Sequence, residues 1–298
     1  MAIKASQVKE LRDKTGVGMM ECKKALTETD GDLEKAVIYL RERGMSRAAK
    51  KAGRVTAEGV VEVMVNSDST AGVALEINCE TDFVSKNEDF IQFSKDVAKI
   101  ALENQVNDIE ELKKLDLNGT PIADQLSALI AKIGENLNLR RVSTLAAQNG
   151  VVTAYSHMGG KIGALVMLEG ATSSAVSELG KDLAMHVAAA SPRFLISDEV
   201  TAEELEVEKD LARKKLIEQG KPEAMIDKIL GGVINKFYKE VCLVEQAFIK
   251  DPKSSVKALV KQNGEGSELT AYTRFQLGDG IEKKKEDFAA EVAAAVES

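Results

Sequence analysis

The residue types that carry most enzymatic chemistry are scarce in this chain of 298 residues. Imidazole is the commonest group for moving protons near neutral pH, yet only His157 and His186 are present. His186 lies in the apolar run Leu183-Ala184-Met185-His186-Val187-Ala188, where a histidine satisfied inside the core is favoured over a ligand. There is no His-x-x-x-His pair, no Gly-x-Ser-x-Gly elbow and no close Cys/His/Asp grouping. Cys22, Cys79 and Cys242 are odd in number, widely spaced and free of any Cys-x-x-Cys pair. They imply neither a disulfide framework nor a zinc site, and fit a reducing cytosol. The glycine-rich sites Met158-Gly159-Gly160-Lys161 and Gly278-Asp279-Gly280 lack the spacing that wraps backbone N–H groups round a phosphate, and read as turns. Carboxylates are plentiful, but without a fold no two can be assigned as acid and base. The expectation is a chain that binds rather than catalyses: not an enzyme, with no cofactor, metal or nucleotide of its own.

The sharpest candidate for binding is Glu80-Thr81-Asp82-Phe83-Val84-Ser85-Lys86-Asn87-Glu88-Asp89, a polar run holding one aromatic residue in a protein that is only 4% aromatic. Two accounts stand side by side. In one, Phe83 tucks under the following helix and Ser85-x-x-Glu88 forms a capping box. In the other, a rigid capped base presents Asp82 and Phe83 outward, an apolar wedge beside a charge, as an anchor for a partner.

The elements that must position this run follow from apolar periodicity. Residues 1–54 predict three short helices: one capped by Ser6 and carrying Val8 and Leu11, one marked by Met19, Met20, Cys22, Ala25 and Leu26, and one marked by Leu33, Ala36, Val37 and Leu40. Gly16 and Gly18 break the first pair, Asp30-Gly31-Asp32 turns and caps the third helix, and Gly44 is placed to end it. So small a bundle makes a marginal core and is expected to dock on something else. A basic stretch, 47–54, leads to two strands, 60–65 and 72–79, joined by the turn Asn66-Ser67-Asp68-Ser69. Phe90, Phe93, Val97, Ile100 and Ala101 then recur at helical spacing, and Pro121 opens a helix with Ile122, Leu126, Leu129, Ile130 and Ile133.

This grammar repeats. Gly59-Val60-Val61 matches Gly150-Val151-Val152, and Gly72 matches Gly163, both at an offset of 91 residues. Lys95-Asp96-Val97-Ala98 matches Lys181-Asp182-Leu183-Ala184 at 86, so the first copy holds five extra residues between strand and helix, around 81–87. Beyond the second copy, two helical patterns over 201–239 flank Gly220-Lys221-Pro222 and predict a protruding antiparallel hairpin whose apolar stripe either packs internally or pairs with a second subunit. A short helix at 256–260, a strand at 269–277 and a last helix from Ile281 carrying Phe288 and Val292 complete the chain.

The formal net charge of −8 conceals a basic head on an acidic body: residues 1–54 carry +5 and the remainder −13. Those basic residues are interleaved with acids along helices, the pattern of a solvated face, so no direct nucleic-acid binding is expected. Apolar runs such as 164–168 are far shorter than the ~18–20 residues that span a bilayer, and the N-terminus has no export pattern. A protein of the cytoplasm with no membrane segment is expected.

Two runs carry a family resemblance. Leu11-Arg12-Asp13-Lys14-Thr15-Gly16-Val17-Gly18-Met19-Met20-Glu21-Cys22-Lys23-Lys24-Ala25-Leu26 and Asn78-Cys79-Glu80-Thr81-Asp82-Phe83-Val84 resemble bacterial elongation factor Ts, and the likeness extends over effectively the whole chain. Glu21 departs from an expected Asp, and 105–120 carries no family signal. The resemblance implies an α+β protein: a ubiquitin-associated-like three-helix domain over 1–54, a duplicated core with subdomains at 55–140 and 141–265, the helical hairpin 201–239 within the second, and a C-terminal module at 266–298. It implies an exchange factor for the GTPase elongation factor Tu, in which Thr81, Asp82, Phe83 and Val84 act at the partner's magnesium and phosphate site. Ile133 and Gly134 in Lys132-Ile133-Gly134-Glu135-Asn136, together with His157, match other partner contacts, and Met19, Met20 and Lys23 lie where the bundle would grip the GTPase. Apart from the resemblance, a dimer through 201–239 stays one of the two readings of that hairpin's apolar stripe. The competing reading is a non-catalytic adaptor that binds a protein through residues 1–54.

Overall fold

The computed structural model describes residues 3–282. Helices α1 (Ala5–Thr15), α2 (Met19–Glu28) and α3 (Leu33–Lys51) form the N-terminal bundle, closed by Val8, Leu11, Cys22, Ala25, Leu26, Ala36 and Leu40. The punctuation is largely as predicted. Gly16 ends α1 in the left-handed region at φ 67°, and the Asp32 carboxylate accepts from the Lys35 N–H to start α3. Two expectations are corrected. The Gln7 side chain accepts from the Lys4 N–H to begin α1, with Ser6 inside the first turn rather than capping it. Gly44 does not end α3, which runs on to Lys51 through the basic stretch. Gly44 is buried where α3 crosses a later helix at Ser127 and Ala131, so its small size serves close approach. Met19 and Met20 stand 43% and 76% exposed, outside the bundle core.

Strands β1 (Glu58–Val65) and β2 (Ala71–Cys79) form the first hairpin, followed by α4 (Glu88–Glu103), the short α5 (Ile109–Leu112), the two-residue strands β3 (Asp116–Leu117) and β4 (Thr120–Pro121), and α6 (Ile122–Ile133). Strand β5 (Leu137–Ala146) completes an antiparallel sheet of order β1-β2-β5. The second hairpin, β6 (Gly150–His157) and β7 (Ile162–Glu169), precedes α7 (Ser174–Ala190). After the helical hairpin α8 (Ala202–Glu218) and α9 (Glu223–Val241) come β8 (Ala247–Phe248), β9 (Asp251–Ser255), α10 (Val256–Asn263) and β10 (Glu268–Gln276). Strand β10 pairs with β7 to give the order β6-β7-β10. The last helix expected from Ile281, with Phe288 and Val292, falls beyond residue 282 and so outside the described residues.

The duplication is visible atom by atom at the offset of 91. A Cβ on Gly59 would lie 2.1 Å from the Ile77 carbonyl oxygen, and one on Gly150 would lie 2.0 Å from that of Leu168. The sheets pack face to face through equivalent contacts. Gly72 leaves room for Val152 as Gly163 does for Val61, while the Val61 N–H donates to Gly160 O at 2.8 Å and the Val152 N–H to Ser69 O at 2.6 Å. A pseudo-two-fold axis therefore relates the copies. Odd-numbered Val73, Leu75 and Ile77 of β2 face Phe90 and Val97 of α4, and Ala164, Val166 and Leu168 of β7 face Leu183 and Val187 of α7. The layers run helix, sheet, sheet, helix. With both faces covered, the period-2 alternation of a half-buried strand disappears, and β2 is buried along its whole length.

One charge sits in the seam between the sheets. Glu76 is fully buried, with Arg140 Nη1 at 2.9 Å, Arg141 Nε at 2.5 Å and the backbone N–H of Gly278 at 2.9 Å. Burial alone pushes its carboxyl up, but the Gly278 N–H, Arg140, Arg141 and Asn78 together outweigh burial and hold it below the usual carboxylate range. Arg140 also reaches Asp279 O and Arg141 reaches Gln276 O, so the chain leaving β10 is clasped to the first sheet.

Candidate partner-binding site

The five extra residues of the first copy build the loop between β2 and α4. It is one tight turn: Ser85 Oγ donates to Asp82 O at 2.7 Å, Lys86 N to Phe83 O at 3.2 Å and Asn87 N to Val84 O at 3.0 Å. Asn87, not Ser85, caps α4, its side-chain oxygen accepting from the N–H groups of Asp89 and Phe90. The expected Ser85-x-x-Glu88 box is thus replaced by an Asn cap two residues on. Val84 is buried in the core of the first copy, whereas Phe83 is 80% exposed. Of the two accounts of Phe83, the outward one holds. Asp82 is exposed beside it, its carboxylate 2.8 Å from Lys86 Nζ. Burying a phenylalanine side chain is worth about 1.5–3 kcal/mol, and this one keeps that free energy available for a partner surface.

The loop has two neighbours. The turn after α6 carries Ile133, half-buried against the core, and Gly134, exposed at φ 90° as the helix C-cap; Glu135, next in sequence, receives both the N–H and the hydroxyl of Thr81. The tip of the β6–β7 hairpin carries His157 and Met158, the latter 72% exposed. Tyr155 Oη lies 3.1 Å from His157 Nδ1 and the two rings stack at 5.9 Å, which fixes the imidazole at the surface. Lys161, closing that hairpin, pairs with Glu58 at 2.8 Å, and a cleft of about 540 Å³ opens between Lys161 and Asp82. Thr81–Val84 and Ile133–Gly134 are thus joined through Glu135, while His157 stands on the hairpin whose Lys161 lines the cleft with Asp82. Met19, Met20 and Lys23 lie apart, on the exposed face of α2. Sequence reasoning missed Glu135 and Met158. Glu135 stood inside a quoted motif, but nothing local signals a partner 54 residues away.

The groups that could do chemistry are used internally. His186 is fully buried, its Nδ1 accepting from the Ile249 N–H at 3.3 Å and its Nε2 lying 3.0 Å from Gln246 Oε1; burial pushes its pKa down, against the Gln246 hydrogen bond. The three cysteines are free and buried, and burial pushes the Cys79 thiol up to about 12. Among the described residues no group of three or more His, Cys, Asp or Glu could hold a metal ion, and no helix is long and apolar enough to cross a membrane.

The loop is thus a clamped turn that holds one aromatic side chain outward. Comparison with known proteins gives it a family. A model described as Elongation factor TS matches residues 80–279, from the first residue of the loop run to the clasp after β10. The chain belongs to the elongation factor Ts family. Relatives bearing that name include the protein of Magnetococcus marinus, 51% identical with 100% of both chains covered. Those of Clostridium botulinum strain Eklund 17B and Syntrophotalea carbinolica are 48% and 49% identical over 98% and 99% of both chains. Membership makes the chain a translation elongation factor, acting in protein biosynthesis.

Proposed function

We propose that the chain binds elongation factor Tu in its GDP-bound state and promotes release of GDP, so that GTP can load. The observation that carries this reading is Phe83, 80% exposed on a turn anchored at both ends. In a GTPase, Mg²⁺ bridges protein and phosphate oxygens and demands near-ideal octahedral geometry. A small displacement of the groups that order its water ligands is therefore enough to loosen the nucleotide. Phe83 wedges between partner helices while Asp82 disturbs that water shell. Ile133, Gly134 and His157 supply flanking contacts, and Met19, Met20 and Lys23 hold the GTPase from the N-terminal bundle. By linkage, the factor by which the chain weakens GDP binding is the factor by which GDP weakens the chain's own binding. The incoming nucleotide then expels it, and no covalent bond is made or broken.

The test is release of fluorescent GDP from elongation factor Tu. Substoichiometric amounts of the chain should accelerate it and turn over; no acceleration would sink the reading. Deleting residues 1–54 separates it from the adaptor alternative: exchange should persist at higher concentrations of the truncated chain, whereas an adaptor would lose all binding.

A specific observation also supports a dimer through the helical hairpin. Leu216, Ile226 and Leu230 close α8 on α9 in a core of their own, while Val207 and Leu211, one turn apart on α8, remain 55% and 57% exposed. That stripe suits a second copy, and sedimentation of Leu211→Glu against the parent chain tests it.

A further inference from the structure

Resting on that exchange-factor reading, we infer that Glu135 is a positioning residue: through its hold on Thr81 it sets where Asp82 and Phe83 stand. The geometry is reciprocal. Glu135 Oε2 accepts the Thr81 N–H at 3.0 Å and Oε1 the Thr81 hydroxyl at 2.7 Å. In return Glu80 Oε1 accepts the Asn136 N–H at 2.5 Å. Two dipeptides, 80–81 and 135–136, thus clasp each other by carboxylate to backbone N–H, the strong charge-assisted form of the bond. Arg54 reinforces the clasp from one side, its Nη1 3.4 Å from Glu80 and its carbonyl receiving Asn136 Nδ2 at 3.0 Å.

Glu135 is itself fixed. It follows Gly134, whose N–H closes α6 on Ile130 O at 2.9 Å in the left-handed region that glycine tolerates. The exposed pair Asp82–Phe83 is therefore strung between two anchors, Thr81 on Glu135 and Val84 in the hydrophobic core. The second copy shows why a clamp is needed. Its equivalent link, residues 170–173 against 80–87, is shorter and passes from β7 to the Ser173 cap of α7. The same carboxylate joins the loop to Ile133–Gly134, so two partner contacts move as one body.

Removing the Val84 anchor would damage the core, but Glu135 is half-buried at the surface, and its loss leaves the packing intact. In Glu135→Ala the loop keeps its composition and loses its aim. Partner binding, spread over Met20, Ile133 and His157, should then change little while the exchange step slows. Two hydrogen bonds to a charged acceptor are lost, so the maximal GDP-release rate at saturating factor is expected to fall at least about ten-fold, with the half-saturating concentration altered by no more than about two-fold. Glu135→Gln should restore most of the rate, because its carbonyl accepts the Thr81 N–H and its amide donates to the Thr81 hydroxyl.

The experiment measures GDP release from elongation factor Tu against factor concentration for the full chain, Glu135→Ala, Glu135→Gln and Phe83→Ala, with amide hydrogen exchange at Thr81 read on the factor alone. Slow release and fast Thr81 exchange in Glu135→Ala, both rescued by Gln, establish the role. A wild-type maximal rate in Glu135→Ala while Phe83→Ala is slow overturns it and leaves the exchange reading standing. So does a raised half-saturating concentration with an unchanged maximal rate, which would make Glu135 a plain binding contact. A wild-type rate in Phe83→Ala removes the loop mechanism and this inference with it.

Discussion

Glu76→Gln is expected to loosen the seam between the two sheets and release the chain that follows β10. The carboxylate is fully buried and shared by Arg140, Arg141, the Gly278 N–H and Asn78. Removing one partner of a buried ionic cluster costs about 3–5 kcal/mol because the opposite charges stay behind. Here Arg140 and Arg141 retain side-chain exposures of 23% and 31%, so water recovers part of the loss and the low end, about 3 kcal/mol, applies. At ~2–4 °C per kcal/mol, thermal unfolding should begin roughly 6–12 °C lower. The pH dependence has a definite sign. A carboxyl held below its unfolded value contributes stability above that value, about 4.3 for glutamate, and loses it as pH falls towards the folded value. The parent should therefore destabilise more steeply than Glu76→Gln as pH falls through about 4 and below, with no difference in slope near neutral pH. Calorimetry across pH and hydrogen exchange at the Gly278 amide give both readouts. A midpoint within about 2 °C of the parent, with Gly278 still protected, would refute the argument that this charge holds the seam.

Two further outcomes follow from the packing. Gly59→Ala and Gly150→Ala each drive a Cβ to within about 2.1 Å of a neighbouring strand's carbonyl oxygen, and each should cost roughly 2–3 kcal/mol; chemical denaturation should show similar losses, larger for Gly59 at φ 133°. Cys22, Cys79 and Cys242 are buried and burial raises all three thiols, so a thiol reagent at neutral pH should label the folded chain only at the rate of opening and label it fully in denaturant.

What was legible in the sequence was whatever local pattern dictates. The hairpins, α4, α6 and the helical pair were readable from apolar periodicity and turn residues, and the duplication because Gly59, Gly72, Gly150 and Gly163 recur at one offset and meet matching steric demands. The errors came from tertiary context. Gly44 has the chemistry of a helix stop, but packing of α3 on α6 carries the helix through it. Ser85 had a capping-box partner at the right spacing, but its hydroxyl turned back to Asp82 and Asn87 took the cap. The orientation of Phe83 was undecidable locally. It depends on Val84 being the residue that enters the core and on Glu135, distant in sequence, holding Thr81. The family resemblance located the loop, and the geometry supplies the reason that it is stiff.

The most direct test of the loop mechanism is the rate of GDP release from elongation factor Tu driven by Phe83→Ala and Asp82→Ala, with circular dichroism confirming that both variants fold. Loss of a wedge worth about 1.5–3 kcal/mol predicts release roughly ten- to a hundred-fold slower for Phe83→Ala at a fixed, subsaturating factor concentration, with Asp82→Ala slowed as well. Parent rates in both folded variants would contradict the account.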